Sequence, residues 1–257
     1  MKLFRIIFSA MLCFATSLAI AQTQIPNAKA DFITLDPYGN IYAVKETLLS
    51  KYSPQGNFLF SYSNHTLGVI SSIDVFNPMK IMLFYRDAGT LVFLNEQLSI
   101  INDPISLFDV GYFTISLASY SAANQIHLYD NTNKYLHILD FNFKEIATTP
   151  IALNSFNPLK MIELEEKGLA FHDPKSGIYL FDAFGTFDKH IPIITNDFPV
   201  NVTSELIYSI DTNSINFYNY RTMQSETRNL PFENIVQLLY FRNHKIILQQ
   251  DGTIWIY

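Results

Sequence analysis

Residues 31–62 of the chain read DFITLDPYGNIYAVKETLLSKYSPQGNFLFSY. Short apolar runs alternate here with polar segments that contain Gly, Pro and Asn, a pattern that predicts four β-strands joined by tight turns. In the first turn Pro37 presets φ and Gly39 supplies a position of positive φ, which reverses the chain direction. The stretch therefore predicts a small antiparallel sheet of four strands.

This unit recurs at a nearly constant interval along the chain. The apolar residue that opens the second strand of each unit serves as a marker, and successive markers are 40, 45, 43, 37 and 40 residues apart: Ile41, Ile81, Ile126, Leu169, Leu206 and Ile246. A mean period of 41 residues matches the length of a four-stranded propeller blade. The sequence predicts an all-β fold, a six-bladed β-propeller of four-stranded antiparallel blades. A two-sheet sandwich is the alternative all-β fold.

The strand pattern also predicts how the ring is built and closed. The first strand of each unit is predicted at residues 32–35, 69–75, 113–118, 160–164, 200–202 and 235–240. A continuous apolar run such as Ile81–Tyr85 predicts a strand that is buried on both faces between neighbouring blades. The last unit has only three strands, so we expect residues 22–29 to add its fourth strand and close the ring, which removes exposed strand edges.

The first unit resembles a blade of the NHL-type six-bladed propellers. It carries DPYGNIYAV at residues 36–44 and YSPQGNF at residues 52–58, and the NHL-type family repeats an Asp-x-x-Gly-Asn turn before a strand and an aromatic residue before a second Gly turn. Lys45 occupies a position where that family usually has an acidic residue. The composition, rich in Asn, Ile and Phe and poor in Gly, resembles secreted propellers of Bacteroidota. The resemblance implies an exported bacterial propeller.

The N-terminus has the pattern of an export signal. Lys2 and Arg5 precede an apolar run over residues 6–20, and Ala19-Ile20-Ala21 forms a small-x-small cleavage site before Gln22. We therefore expect a signal peptide over residues 1–21, a single propeller domain over residues 22–257, and no transmembrane segment after cleavage. A retained membrane helix would need about 20 apolar residues. Lipoprotein anchoring through Cys13 is the other alternative, although bulky Leu12 precedes that cysteine.

Charge and cysteine content exclude several classes of function. The formal net charge is −6, and removal of the predicted signal lowers it to −8, so an acidic surface disfavours nucleic acid as a partner. Cys13 is the only cysteine, so the mature chain is expected to lack disulfides, thiolate metal sites and cysteine nucleophiles. The chain also lacks the serine-hydrolase elbow, the zinc-helix motif and the nucleotide-binding glycine motifs.

The remaining titratable residues predict structural roles. His127 and His137 flank a hairpin and are expected to face each other in polar packing, in preference to a metal site with Asp130 or Asp140. His172-Asp173 before Pro174 is interpreted as turn chemistry instead of a catalytic dyad. Glu163, Glu165 and Glu166 form the densest acidic cluster, and residues 165–168 are interpreted as a solvated turn between two strands, in preference to carboxylates paired for acid–base chemistry. We expect no catalytic residue, cofactor or metal.

Aromatic residues are unusually abundant, with 22 Phe and 15 Tyr against one Trp. Most are expected to fill the space between blades. Tyr38, Phe143 and Phe184 fall in predicted turns and are candidates for protein binding, the alternative being that they cover their own blades.

These patterns favour a non-enzymatic scaffold, periplasmic or associated with the outer membrane. Its expected partners are cell-envelope proteins, including peripheral association with an outer-membrane complex. The alternatives are a hydrolase or lyase with its site over the central channel, which His, Asp or Glu from several blades would favour, and a carbohydrate-binding propeller.

Overall fold

The structure is a computed structural model, and it describes residues 23–121, 123–153, 156–164, 168–193, 200–202, 205–211, 214–230 and 232–257. All of the regular secondary structure in this part of the chain is β-strand. In chain order the strands are β1 (Thr23–Gln24), β2 (Phe32–Leu35), β3 (Ile41–Lys45), β4 (Leu48–Tyr52), β5 (Phe58–Ser63), β6 (Ser72–Asp74), β7 (Ile81–Tyr85), β8 (Thr90–Leu94), β9 (Ile105–Ser106), β10 (Ile115–Tyr120), β11 (Ile126–Asp130), β12 (Tyr135–Leu139), β13 (Glu145–Pro150), β14 (Lys160–Glu163), β15 (Leu169–Asp173), β16 (Gly177–Phe181), β17 (Phe187–Ile191), β18 (Val200–Val202), β19 (Leu206–Asp211), β20 (Ser214–Asn219), β21 (Gln224–Asn229), β22 (Ile235–Phe241), β23 (His244–Gln249) and β24 (Ile254–Ile256).

The strands form six antiparallel sheets of four strands each, which confirms the predicted six-bladed propeller. The first five blades are consecutive: β2–β5, β6–β9, β10–β13, β14–β17 and β18–β21. The sixth blade combines β22, β23 and β24 with β1 from the start of the described chain. First strands of successive blades contact one another, for example β6 with β10 and β10 with β14. The first strands therefore form the inner wall of the ring.

The ring is closed as the sequence predicted. Thr23 pairs with Ile256 and Gln24 with Trp255, so the N-terminal segment supplies the outer strand of the sixth blade. Ile25 continues this contact, because its backbone N–H donates to the carbonyl oxygen of Ile254 at 2.9 Å and its side chain is buried. Closure pairs an edge strand that would otherwise be open to association.

The core lies between blades, in six clusters, one at each boundary. Strand β7 shows how one strand serves two boundaries: Leu83 and Tyr85 pack towards the first blade, while Met82 and Phe84 pack towards the third. Successive side chains of a strand point to opposite faces of the sheet, so an apolar run of this kind is buried on both sides. The prediction for Ile81–Tyr85 is confirmed, and all five residues are buried.

Strand boundaries differ from the predicted ones in four blades; the first strand of the fourth blade ends one residue early, at Glu163, and that of the sixth ends one residue late, at Phe241. The first strand of the third blade begins at Ile115, so Phe113 lies in the connection before it. The first strand of the second blade is only Ser72–Asp74, because Ile70 N–H donates instead to the carbonyl oxygen of Glu46 in the first blade. Strand β23 begins two residues before the marker Ile246. None of the described residues forms a helix of membrane-spanning length and hydrophobicity.

Candidate functional site

Antiparallel connectivity sorts the loops of the ring onto two faces. In the first five blades the turns from first to second strand and from third to fourth strand lie at one end of the strands, as does the turn from first to second strand in the sixth; we name this end the turn face. The turns from second to third strand and the connections between blades lie at the other end, the linker face. Tyr38, Phe143 and Phe184 all fall on the turn face, in the first, third and fourth blades.

Tyr38 and Phe184 occupy equivalent positions in one recurring turn. Asp36 Oδ1 accepts hydrogen bonds from the backbone N–H groups of Tyr38 and Asn40, both at 2.9 Å. Asp182 Oδ1 accepts in the same way from Phe184 and Thr186. These bonds fix the turn and direct its third side chain outwards. Tyr38 is 70% exposed and Phe184 77% exposed.

Phe143 occupies the next position of the same turn and is therefore oriented differently. Its backbone has φ of +61°, the left-handed conformation that Gly185 adopts in the fourth blade with φ of +78°. Phe143 is only partly exposed and packs against the core between the second and third blades. Phe143 thus covers its own blade boundary, whereas Tyr38 and Phe184 project from theirs. The glycine is missing from this turn in sequence, yet the turn conformation is retained.

The turn face carries further exposed apolar side chains that sequence reasoning missed. Met79 of the second blade is 62% exposed and Met223 of the fifth is 73% exposed. Ile100 and Ile101, between the third and fourth strands of the second blade, are 48% and 45% exposed. When Tyr38 and Phe184 are included, four of the six blades present large apolar side chains on the turn face.

A cleft of about 390 Å³ opens on the turn face between the fourth and fifth blades, and Asp182, which holds the turn of Phe184, is part of its lining. Its apolar part consists of Leu164, Leu180 and Phe181. Its polar part consists of Asp182, Asp188, Lys189, Tyr220 and Arg221. Lys189 Nζ donates to the carbonyl oxygen of Tyr220 at 3.3 Å and so bridges the two blades. The lining comes from two blades, so no local sequence pattern indicates it.

Three polar side chains meet across the boundary between the third and fourth blades. Glu163 Oε1 accepts a hydrogen bond from Ser119 Oγ at 2.5 Å, and the same oxygen lies 2.6 Å from His127 Nδ1. Glu163 ends β14, within the first strand predicted for this blade, and its side chain is only 13% exposed. The cause is the reach of its side chain into the neighbouring blade. Glu165 and Glu166 lie outside the described residues.

His127 is held through one ring nitrogen only. Its side chain is buried, and Nε2 has no hydrogen-bond partner among the described residues. His127 does not face His137, contrary to the prediction, because the hairpin register pairs His127 with Ile138 and His137 with Leu128. The offset of one residue places the two imidazoles on opposite faces of the blade. His137 instead contacts the ring of Tyr112, with centroids 5.0 Å apart.

Asp74 joins this group from the second blade. Its Oδ2 accepts a hydrogen bond from the backbone N–H of Tyr120 at 3.1 Å. Desolvation by the surrounding protein, reinforced by the charge of Glu163, raises the pKa of the Asp74 carboxyl to about 7. Asp74 and Glu163 end their strands at the turn face, and Ser119 and His127 lie within two residues of the same end. We name these four residues the inner-strand cluster.

The described residues contain no group of three or more His, Cys, Asp or Glu side chains arranged to hold a metal ion. The inner-strand cluster has the groups needed to bind and exchange protons. The Glu163 carboxylate contacts Nδ1 of His127 and so orients the imidazole, which leaves Nε2 available as a base or a donor. Strongly perturbed pKa values occur preferentially at functional sites, although structural networks produce them as well.

His172 and Asp173 are the last two residues of β15, and the Asp173 carboxylate holds the turn that follows, which agrees with the turn chemistry predicted for this segment. Asp173 Oδ1 accepts from Lys175 N–H and Oδ2 from Asn157 N–H, both at 2.9 Å. Burial in the first place, and the positive charge of Lys160 in the second, lower the pKa of His172 to about 4. His172 is paired with Lys160, the first residue of β14, and therefore lies towards the linker face.

The linker face carries one aromatic pair that the sequence pattern did not indicate. Phe108 and Phe113 are 68% and 67% exposed, and their rings meet edge to face with centroids 4.8 Å apart. They lie in the connection between the second and third blades. The sequence analysis assigned Phe113 to a strand. Gly111 was the local sequence signal for a loop here, and it adopts a positive φ in this connection.

Comparisons with known proteins agree with the fold. No protein-family model and no curated protein sequence matches the chain. A streptogramin B lyase is similar in structure with a TM-score of 0.60 and 14% identity, over 92% of this chain and 86% of that one. The WD40 domain of Neurospora crassa Pan2 has a TM-score of 0.61 and 12% identity, over 91% and 80%. BBS1N, in complex with ARL6DN, has a TM-score of 0.55 and 11% identity, over 87% and 75%. At these identities the likeness shows the propeller fold.

Proposed function

We propose that this chain is a non-enzymatic scaffold of the bacterial cell envelope that binds other proteins through its turn face. The observation that carries the proposal is the set of large apolar side chains that four blades present on that face, with Tyr38 and Phe184 more than two-thirds exposed. Aromatic residues and methionine are enriched where proteins bind one another. The hydrogen-bonded turns hold Tyr38 and Phe184 in place, which reduces the ordering cost of binding.

Phe184 and the adjacent cleft form the anchoring part of this face. A partner side chain that enters the cleft would contact Leu164, Leu180 and Phe181. Charged groups of both signs surround this apolar floor, among them Asp188 and Arg221. An apolar centre with a polar rim is the usual composition of a protein–protein interface. Phe143 contributes at the third blade through the part of its ring that is exposed.

Two further observations support a protein partner in the envelope. BBS1N has the same fold and its structure was solved in complex with ARL6DN, although fold by itself does not establish function. The basic and then apolar segment over residues 1–21 supports export with cleavage before Gln22. The location we propose is the periplasm or the periplasmic side of an outer-membrane complex. Cell fractionation with the tagged chain tests it, and recovery in the cytoplasmic fraction would contradict it.

Affinity isolation from the native envelope tests the binding face. We expect the tagged chain to recover partners in stoichiometric amounts, and the double variant Tyr38→Ser/Phe184→Ser to recover at least about tenfold less. The matched control is Phe108→Ser/Phe113→Ser, which removes two equally exposed aromatic rings from the linker face. Recovery that is lost in the control and kept in the test variant would assign binding to the opposite face. Absence of any stoichiometric partner would contradict the scaffold proposal.

A second candidate function, hydrolysis or lyase chemistry near the channel, is favoured by the inner-strand cluster. It unites Asp74, His127 and Glu163 from three blades, with His127 Nε2 free of a described partner. In this reading Glu163 orients His127 as a general base. Cleavage of ester, glycosidic or peptide model substrates that is abolished by His127→Gln would support it. The burial of Ser119 and His127 makes binding the better-supported function.

A further inference from the structure

The outer strand of the first blade has an unusual exposed edge. Strand β5 has the sequence FLFSYS, and within the described part of the chain it pairs only with β4, which leaves the backbone groups of its other edge unpaired there. Phe58, Leu59 and Phe60 are 59%, 37% and 37% exposed. An uncharged, apolar edge strand without proline is a template on which another strand pairs.

The other outer strands are protected in ways that β5 is not. Strands β1 and β9 have two residues each, too few to template a partner. Strand β13 contains Glu145 and ends at Pro150. Strands β17 and β21 carry charged side chains: Asp188 with Lys189, and Glu226 with Arg228. Short length, charge and proline are the devices by which natural sheets block edge-to-edge association. Strand β5 has none of these features, since it is six residues long and contains neither a charged residue nor proline.

The charge distribution favours this edge as the place where two copies of the chain could meet. The chain has a formal net charge of −6, so contact between two copies is opposed by repulsion over most of the surface. Residues 52–73, which include β5 and the segments on either side, contain no Asp, Glu, Lys or Arg. At this edge two copies meet without placing like charges together, and a two-fold axis brings the same strand of each copy into register.

We propose that β5 is a self-association edge, at which two copies of this chain pair their β5 strands antiparallel about a two-fold axis. The pairing joins the first blades of the two copies into one eight-stranded sheet and covers Phe58, Leu59 and Phe60. Aromatic residues opposite one another across such a pair add to its stability. The edge lies on the rim of the ring, so the proposal is independent of binding at the turn face.

The size of the contact sets the expected affinity. A pair of six-residue strands buries less surface than the roughly 1,600 Å² of a standard stable interface. The dimer is therefore weak and depends on concentration, with a dissociation constant of roughly 10–500 μM.

Sedimentation velocity over a wide concentration range tests the proposal. We expect the wild-type chain to shift from monomer towards dimer, and Leu59→Lys/Ser61→Lys to weaken association at least about tenfold, because charged edge residues block pairing. The matched control, Ser225→Lys/Thr227→Lys, places the same charges on the outer strand of the fifth blade and leaves association unchanged. Thermal unfolding of both variants checks that the fold is intact.

Cysteine cross-linking supplies a second readout that does not depend on affinity. In a Cys13→Ala background, single cysteines at Leu59, Phe60 and Ser61 are expected to form disulfide-linked dimers, most efficiently at the residue nearest the two-fold axis. Ser225→Cys is the control and remains monomeric. A wild-type chain that stays monomeric at millimolar concentration overturns the proposal. So does equal cross-linking at Ser225, or a monomer whose β5 is occupied by a strand of a different protein.

Discussion

His127 Nδ1 lies 2.6 Å from Glu163 Oε1, across the boundary between the third and fourth blades. The same oxygen accepts a hydrogen bond from Ser119 Oγ, so one carboxylate joins two strands of the third blade to the first strand of the fourth. Because both donors are buried, the carboxylate is a stability element whether or not the cluster has a chemical role.

Substitution of Glu163 measures how much this carboxylate contributes to the free energy of unfolding. Glu163→Ala leaves two buried donors without a partner, and we expect the free energy of unfolding to fall by about 2–4 kcal/mol. Glu163→Gln keeps an acceptor oxygen and should lose roughly half as much. Guanidinium unfolding provides the measurement, with the exposed Glu226→Ala as control. A loss from Glu163→Ala no larger than that of the control would contradict a buried network.

The raised pKa of Asp74 predicts the direction in which the stability of the folded chain changes with pH. Its pKa is about 7 in the folded chain and about 3.9 when unfolded, so between these values only the folded chain retains the proton. Stability therefore falls as pH rises from about 4 to about 7 and is constant above. Between pH 5 and pH 8 we expect the wild type to lose about 2 kcal/mol more than Asp74→Asn.

Urea unfolding at several pH values is the appropriate measurement for Asp74. The matched control is Asp109→Asn, which makes the same substitution at an exposed loop position. A wild type and an Asp74→Asn variant with parallel pH profiles would show that the carboxyl is ionised in the folded chain throughout this range.

A comparison of alanine substitutions at Gly39 and Gly68 separates the cost of backbone strain from the cost of steric overlap. Its φ is +85°, and a Cβ at this position would overlap the ring of Phe241 from the sixth blade. Gly68 has nearly the same φ, +82°, with no atom within 4 Å of its added Cβ. We expect Gly68→Ala to cost about 1 kcal/mol and Gly39→Ala about 2–4 kcal/mol. Thermal unfolding measures both, and adding Phe241→Ala should shrink the difference between them. Equal costs would show that the ring moves aside freely.

Ile25 tests the closure of the ring. The side chain is 1% exposed and packs in the cluster that joins the sixth and first blades. Ile25→Ala is expected to lower the free energy of unfolding by about 2–4 kcal/mol, because it opens a cavity beside β1. Ile101→Ala removes the same atoms from a side chain that is 45% exposed and should cost less than about 0.5 kcal/mol. Similar effects of the two changes would mean that β1 contributes little to closure.

The turns show which parts of the fold could be predicted from sequence and which could not. The glycine turns of the first unit predicted the strand order of that blade correctly. In the second and third blades Leu98 and Phe143 adopt the left-handed position without glycine, with φ of +58° and +61°. Tertiary packing of these side chains offsets the backbone cost, so the turn persists where its sequence signal is lost.

The sequence by itself determined that the chain has six strand-rich repeats and that the N-terminal segment completes the last blade. It could do so because strand period, turn residues and apolar runs are local properties of the sequence. The tertiary structure decided which side chains meet between blades. Glu163 is 44 residues from Ser119 and 36 from His127, and a shift of one residue in strand register would point each of them away. The cleft between the fourth and fifth blades likewise exists only where two blades converge, so its lining depends on packing geometry that no single segment encodes.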